Sequence, residues 1–515
     1  MGDLISEHGS IPSYSTSTPE SFNDSSNANS GWLSWLSLLA VIGIAGAVYL
    51  ATMAPTVFTL DSAEFATAAY GLGIVHSPGY SVYLLIAHAA TYLPVGDIAY
   101  RVNLLSAVYT VITSAMLTIY LSKKVGIWPA VLASLSLAFS YYVWSLSVVA
   151  EVYTMQMGLF LLLIILAEKY AFSSKPFHLN LLAFFTGIAC ANNPITVLWW
   201  PGLIYFVWQQ HERLTLKRLI IALGWGVIGL LPILYLPVRS YAQPTFTNVG
   251  LFNELGEFVP VSLASWEGLV WYLSGQEFES LYFGYSLFGT AVEGIKLLNQ
   301  LIAAFLGIGF PLGVWGALEL WQTRRSYLIG LIILITPYVL FFVTYAAIDK
   351  ETMFLPLYLL WAILMGIGIK AANEAWLSFR NNKRQVVSLY WVGLLLPVAL
   401  LLSNWTFVDL SDATGFADDG RQRLAEAAPN ALFVSRWGES AVLSYFQIVE
   451  STRPDVSVVN SVFISTPDTV TLINHALAEE RPVYATFNDD RLLLYFEFEE
   501  IEFGYVVSKR VKSRP

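Results

Sequence analysis

The chain has 515 residues, a formal net charge of −10, and is 56% hydrophobic with only 12% charged residues, where a soluble domain carries about 25% charge. So acidic and apolar a chain excludes a nucleic-acid binder, which needs a basic face, and an ordinary soluble enzyme. It reads as a polytopic integral membrane protein, and its single cysteine, Cys190, excludes an internal disulfide.

In chain order, residues 1–31 hold Asp3, Glu7, Glu20 and Asp24 but no Lys or Arg, among many Ser, Asn and Pro. This predicts a disordered tail, without the basic start of a signal peptide. Apolar segments then predict about eleven crossings, near 32–54, 102–121, 127–147, 152–171, 179–193, 195–209, 218–238, 297–320, 327–346, 353–371 and 386–405. The fifth and sixth meet at Asn192-Asn193-Pro194, a turn signal. Residues 79–93 are apolar but too short to span. They read as an interfacial or re-entrant helix within one long external loop, 55–101.

With the N-terminus inside, most basic residues fall in inside loops, among them Lys123, Lys124, Lys169, Arg213, Arg324 and Arg384. Only Arg101, Arg239, Lys296 and Lys350 fall outside between spans. The positive-inside rule favours this orientation in a cell membrane. A second external loop, 240–296, is rich in aromatics from Trp266 to Tyr285, suited either to interface anchoring or to sugar contact. After 405 the stretches "ALFVSRWG", "DVSVVN" and "PVYATF" read as buried strands alternating with helices. The organisation expected is thus a tail (1–31), a membrane domain (32–405) and a small extracytoplasmic α/β domain with a parallel sheet (406–515).

In this topology Asp61, Glu64, His76, Arg101, Glu151, Asn192, Asn193, Arg239, Asp349, Lys350 and Glu351 collect at the outer ends of spans. Ionisable groups at membrane depth are costly and usually functional. Asp61 and Glu64 share one face of a predicted helix; a capping pair at its start is the plainer explanation. A carboxylate in a partly dehydrated site takes a proton from an acceptor hydroxyl. An arginine such as Arg239 in "YLPVRSYAQP" holds a phosphate through its planar fork, or snorkels at an interface.

The stretches "LDSAEF…GLGIVHSPGYSVYLL…LPVGDIAYRVNLLSA", "VVAEVYTM", "YLPVRS", "YAAIDKETMFLPLY" and "RPDVSVVN" together resemble the protein O-mannosyltransferase-like family of membrane glycosyltransferases, of the C type (GT-C). The resemblance runs from about 55 to 510 and implies a GT-C-like membrane domain. It implies transfer of a sugar, mannose or another hexose, from a polyprenyl-phosphate donor to an acceptor hydroxyl on the outer face, with inversion. The acceptor is a protein, a lipid or a glycan, and no cofactor is required, although related oligosaccharyltransferases use a divalent ion. Asp61, Glu64 and Glu151 would be the catalytic acids, with Asp61 as the base. His76, Tyr80, Arg101, Asn103, Asn193, Arg239, Asp349 and Lys350 would contact substrate, Arg239 holding the lipid phosphate. The acidic pair is spaced by three residues, not adjacent as in many relatives, which leaves the base between Asp61 and Glu64.

A transporter or flippase of lipid-linked glycans is the alternative. It predicts charges at mid-membrane and related halves, and the sequence has neither. A non-catalytic scaffold leaves the acids unexplained.

Overall fold

The computed structural model describes residues 31–252, 258–379 and 388–510; the expected tail lies outside them save for its last residue. The chain opens with α1 (Gly31–Thr52), two short helices α2 (Asp61–Gly71) and α3 (Ser81–Ala90), and the long α4 (Ile98–Val125). Next come α5 (Ile127–Ala138), α6 (Tyr141–Ser147), α7 (Tyr153–Ser173), α8 (Pro176–Asn192), α9 (Trp200–Trp208), α10 (Leu216–Leu230) and α11 (Tyr235–Tyr241). An antiparallel ribbon of β1 (Gly250–Phe252) and β2 (Phe258–Pro260) leads into α12 (Trp266–Leu273), α13 (Leu287–Ala304), α14 (Gly309–Thr323) and α15 (Arg325–Thr344). α16 (Leu355–Phe379), α17 (Leu389–Gly393) and α18 (Leu395–Val408) end the apolar part. The remainder folds as α19 (Gly415–Glu426), β3 (Leu432–Ser435), α20 (Trp437–Val449), β4 (Ser457–Asn460), α21 (Thr466–Ala478), β5 (Val483–Ala485), β6 (Phe496–Ile501) and β7 (Gly504–Lys509).

Among the described residues, seven helices are long and apolar enough to cross a membrane, or up to nine if each of two bent pairs is one span. The reading of about eleven crossings differs at identifiable places. The stretch 297–320 is not straight: α13 and α14 meet at 100°, where Leu306 and Gly307 have φ of 53° and 72°. Likewise α5 and α6 meet at 65°. The segments at 179–193 and 195–209 become a 17-residue α8 and a 3₁₀ turn running into the short α9, each below the usual spanning length. Hydropathy measures how apolar a stretch is, and a break in the backbone leaves that unchanged. The short segment at 79–93 does form a short helix, the 10-residue α3, about 15 Å long and half the thickness of a hydrocarbon core.

α16 is the most enclosed of the long helices, with 78% of its apolar window buried. It meets α14 backbone to backbone: a Cβ added to Gly316 or Gly368 would lie 1.9 Å from the carbonyl oxygen of Leu364 or Leu312. Small residues allow such close packing where lipid removes the hydrophobic drive.

The C-terminal sheet has the order β4-β3-β5-β7-β6. β4, β3 and β5 are parallel, but β7 and β6 add an antiparallel hairpin, so the sheet is mixed where the sequence predicted a parallel one. This unit rests on α2. Val57, Ala63 and Ala66 share one apolar cluster with Phe433, Ala441, Tyr445 and Phe446. α20 approaches so closely that a Cβ on Gly438 would lie 2.2 Å from Thr59 Oγ1.

Candidate active site

The site is built on the first turn of α2. Asp61 is its first residue, preceded by Leu60 with φ 57°, and no side chain caps the helix. The capping-box explanation of Asp61 and Glu64 is thereby removed, and both carboxylates are free for other partners. Glu64 is fully buried. Its Oε1 accepts from the backbone N–H of His76 at 2.6 Å and its Oε2 lies 2.7 Å from His76 Nδ1. Asp61 keeps some exposure, and its Oδ2 lies 3.9 Å from His76 Nε2. The imidazole therefore bridges the two acids, one on each ring nitrogen.

Further acids surround this triad. The backbone N–H of Ala150 donates to Ser62 Oγ at 3.3 Å, which ties the start of α2 to Glu151. Ser106 holds Glu151 in place, accepting from its N–H at 2.9 Å and donating to its carbonyl at 3.1 Å. Glu151 Oε2 is buried with no partner among the described residues. Burial, then the charges of Asp61 and Asp349, raise the Glu151 carboxyl well above its ordinary range. Burial also raises Asp61, to about 7; His76 opposes the shift, and Glu64 and Asp349 add to it. Burial acts against a charged His76, but the neighbouring Glu64 and Asp61 outweigh it and push the imidazole up to about 10. At neutral pH the site thus holds an imidazolium beside a carboxyl poised to gain or lose a proton.

Of the residues expected from the sequence, the structure gathers Asp61, Glu64, His76, Tyr80, Glu151 and Asp349. The Tyr80 ring packs edge-on to His76 with centroids 5.6 Å apart. Other expected residues hold the surroundings. Arg101 donates to the carbonyls of Thr91, Val95 and Gly96 and braces the loop before α4. Asn103 accepts from Ser62 Oγ and donates to the carbonyls of Ala54 and Thr56. Asn193 accepts from Ile195 N–H in a turn, while Asn192 accepts from Tyr83 N–H and so seats α3. Lys350 Nζ pairs with Glu293 Oε2 at 2.7 Å and lies over the Tyr285 ring. Arg239 donates from Nε to the Leu72 carbonyl at 2.7 Å and from Nη2 to Gly71 at 3.1 Å. That is the C-terminal end of α2, roughly 15 Å from Asp61 by helix rise, where a cation meets the carbonyl ends of the helix.

Three residues at the site escaped the sequence reading. Glu277 accepts from Ser77 N–H at 3.0 Å, and burial raises its carboxyl to about 7. Tyr272 donates to the carbonyls of Val75 and His76. Trp437, at the start of α20, stands edge-on to His76 with centroids 4.9 Å apart, and Phe278 stacks beside it. Glu277 and the aromatics lie in stretches already marked as unusual, but nothing local to Trp437 points to a residue several hundred positions away.

Asp61, Glu64 and His76 bring one ligand atom each to within 4.8 Å of one another, the one such group among the described residues. Both Glu64 oxygens already accept from His76. A bound ion would need His76 Nε2 deprotonated and turned from Asp61 to itself, and would share the Glu64 carboxylate with His76.

Residues 61–216 match the family model of the protein O-mannosyl-transferase TMEM260 N-terminal domain. The chain is 27% identical over 457 residues to protein O-mannosyl-transferase TMEM260 of Mus musculus, aligning 81% of this chain with 62% of that protein. It is 23% identical to the Dictyostelium discoideum protein of that name, with 81% and 56% covered. The chain thus spans about three fifths of the curated relatives it matches. Among solved structures, ArnT from Cupriavidus metallidurans bound to undecaprenyl phosphate superposes with a TM-score of 0.55 at 13% identity, covering 94% of this chain and 99% of that one. The Archaeoglobus fulgidus oligosaccharyltransferase tethered with an acceptor peptide gives 0.50 at 9% identity, with 94% and 75% covered. The resemblance carried by the motifs is therefore borne out: residues 61–216 match the TMEM260 N-terminal domain model, and the chain shares the fold of ArnT.

Proposed function

We propose that the protein is a membrane glycosyltransferase that moves mannose, or another hexose, from a polyprenyl-phosphate carrier to an acceptor hydroxyl at the outer face of the membrane. The observation that carries this reading is the partly exposed Asp61 carboxyl, with a pKa near 7, held beside a buried imidazole that Glu64 orients. The relatives' names and the GT-C fold support it.

In this reaction the acceptor oxygen attacks the anomeric carbon from the face opposite the phosphate. A carbon–oxygen bond to the acceptor forms, the bond to the phosphate oxygen breaks, and the configuration inverts. Asp61 takes the acceptor's proton. Glu64, fully buried with both its oxygens hydrogen-bonded to His76, is not presented to an acceptor and so is not assigned as the base. The departing polyprenyl phosphate carries the new negative charge. His76 is the cation nearest Asp61, and we assign that charge to it; Arg239, a helix length away, holds α2 in place. Glu151, whose Oε2 has no partner among the described residues and whose burial favours the neutral carboxyl, is left to hydrogen-bond the sugar. No metal takes part in this scheme.

The test is transfer by the purified protein from radiolabelled polyprenyl-phosphate mannose to candidate acceptors. Asp61→Asn should lower transfer about a hundredfold or more, as loss of a general base does, with unchanged thermal unfolding. Transfer retained by this variant overturns the assignment, and lipid translocation without a glycosidic bond overturns the enzyme.

A further inference from the structure

A cavity that the acid cluster does not explain lies at the free edge of the C-terminal sheet. It measures about 600 Å³, and its walls are Thr245–Asn248 on one side and strand β4 on the other. The floor is a face of α20 formed by Ser440, Ala441, Ser444 and Ile448. β4 is the edge strand. Its Ser457 N–H is spent on Ala431, the residue before β3. In a parallel ladder alternate residues face alternate neighbours, so the N–H and C=O of Val458 and the N–H of Asn460 point outward, into this cleft. The opposite wall is strand-like too: its Phe246 C=O and Asn248 N–H bond the backbone of Ile74. An unpaired edge that lines a cavity is a template for another strand.

The charged side chains in the cleft are already hydrogen-bonded or paired. Arg481 donates to the Asn430 carbonyl and to Ser457 Oγ, and His475 lies 3.8 Å from Glu479. What remains on offer is backbone hydrogen bonding, which suits an uncharged occupant. The cleft also approaches the acids along α20. Residues 437, 441, 444 and 448 recur at helical spacing on one side of α20; the last three line the cleft and the first, Trp437, covers His76, while Ile74, bonded to the facing wall, is two residues from His76.

We propose that this cleft binds the acceptor as an extended, uncharged polypeptide segment, added as a strand to β4, and that it presents a Ser or Thr hydroxyl to Asp61 past Trp437. This rests on the transferase reading and names its acceptor as a protein.

The test measures binding of a fluorescein-labelled neutral peptide of alternating Thr and Val to the full-length protein in detergent, by polarisation. Val458→Pro removes the outward N–H, and proline is tolerated on an edge strand. Ser444→Trp fills the floor. Each should weaken binding roughly tenfold or more, the loss expected for one or two hydrogen bonds. The same peptide N-methylated at alternate residues should lose binding to the wild type, a control that leaves the protein's folding untouched. Asp61→Asn should bind the peptide normally, so failure of the chemistry and failure of the cleft give different results. Equal binding of the methylated and unmethylated peptides, or wild-type affinity in both cleft variants, overturns the proposal.

Discussion

His76 makes the acidic pair useful. Two carboxylates one helical turn apart would repel one another; an imidazolium between them turns the repulsion into a polarised relay. In the proposed reaction only deprotonated Asp61 takes the proton, and its pKa is raised, to about 7. The rate should therefore rise with pH through about 7. It should fall again as His76 loses its proton near 10, with Glu64 and Asp349 acting on Asp61, and Glu64 and Glu277 on His76. A pH–rate profile of transfer checks both limbs; a rate that is flat from acid to neutral pH would remove Asp61 from the proton transfer. Glu64→Ala strands His76 without its partner and should cost about 3 kcal/mol of stability, the usual penalty for breaking a buried charged pair, seen in thermal unfolding. Transfer should persist in EDTA, since Glu64 is spent on His76; loss of activity restored by magnesium or manganese would instead make Asp61 and His76 ligands.

At the scale of elements, α2 is a short helix gripped at both ends. Arg239 from α11 holds its C-terminal carbonyls, and the C-terminal unit packs along it through α20. The contact at Gly438 leaves no room for a side chain, with Thr59 Oγ1 2.2 Å from where a Cβ would stand. Gly438→Ala should push α20 away and lift Trp437 from His76. The expected result is a several-fold loss of kcat with little change in donor KM, and Gly438→Ser should be no better. Unchanged turnover would mean that α20 is only a prop. The short α2 and α3 were legible as elements from apolar runs, an acidic start and the glycines at 71 and 73. The bends within α13–α14 and α5–α6 were not, because a broken stretch is as hydrophobic as a straight one. The β6–β7 hairpin was also missed: its alternation of Phe and Glu in "FEFEEI" marks a strand, but it follows three strands in a helix-and-strand pattern that pointed to parallel pairing.

At the scale of the molecule, the orientation proposed from the basic loops remains testable. Cys190 is buried, so an introduced cysteine reports alone. Glu499→Cys, on the C-terminal sheet, should react with a membrane-impermeant maleimide in intact cells, and Lys123→Cys at the end of α4 should react only after permeabilisation. The reverse pattern would put the acids on the cytoplasmic side and remove the outer-face reaction.

Composition alone determined that this chain lives in a membrane, because so few charges and so many long apolar runs leave no soluble alternative. The motifs in its first loop pointed to the family and to the acids, since a carboxylate in apolar sequence is conspicuous wherever it sits. Only the tertiary structure decided which groups meet. It set Glu64 on His76, drew Arg239 to the far end of α2, and brought Trp437 over the imidazole from the opposite end of the chain. Periodicity and composition report a residue's immediate neighbours along the chain, whereas these contacts depend on how distant helices pack.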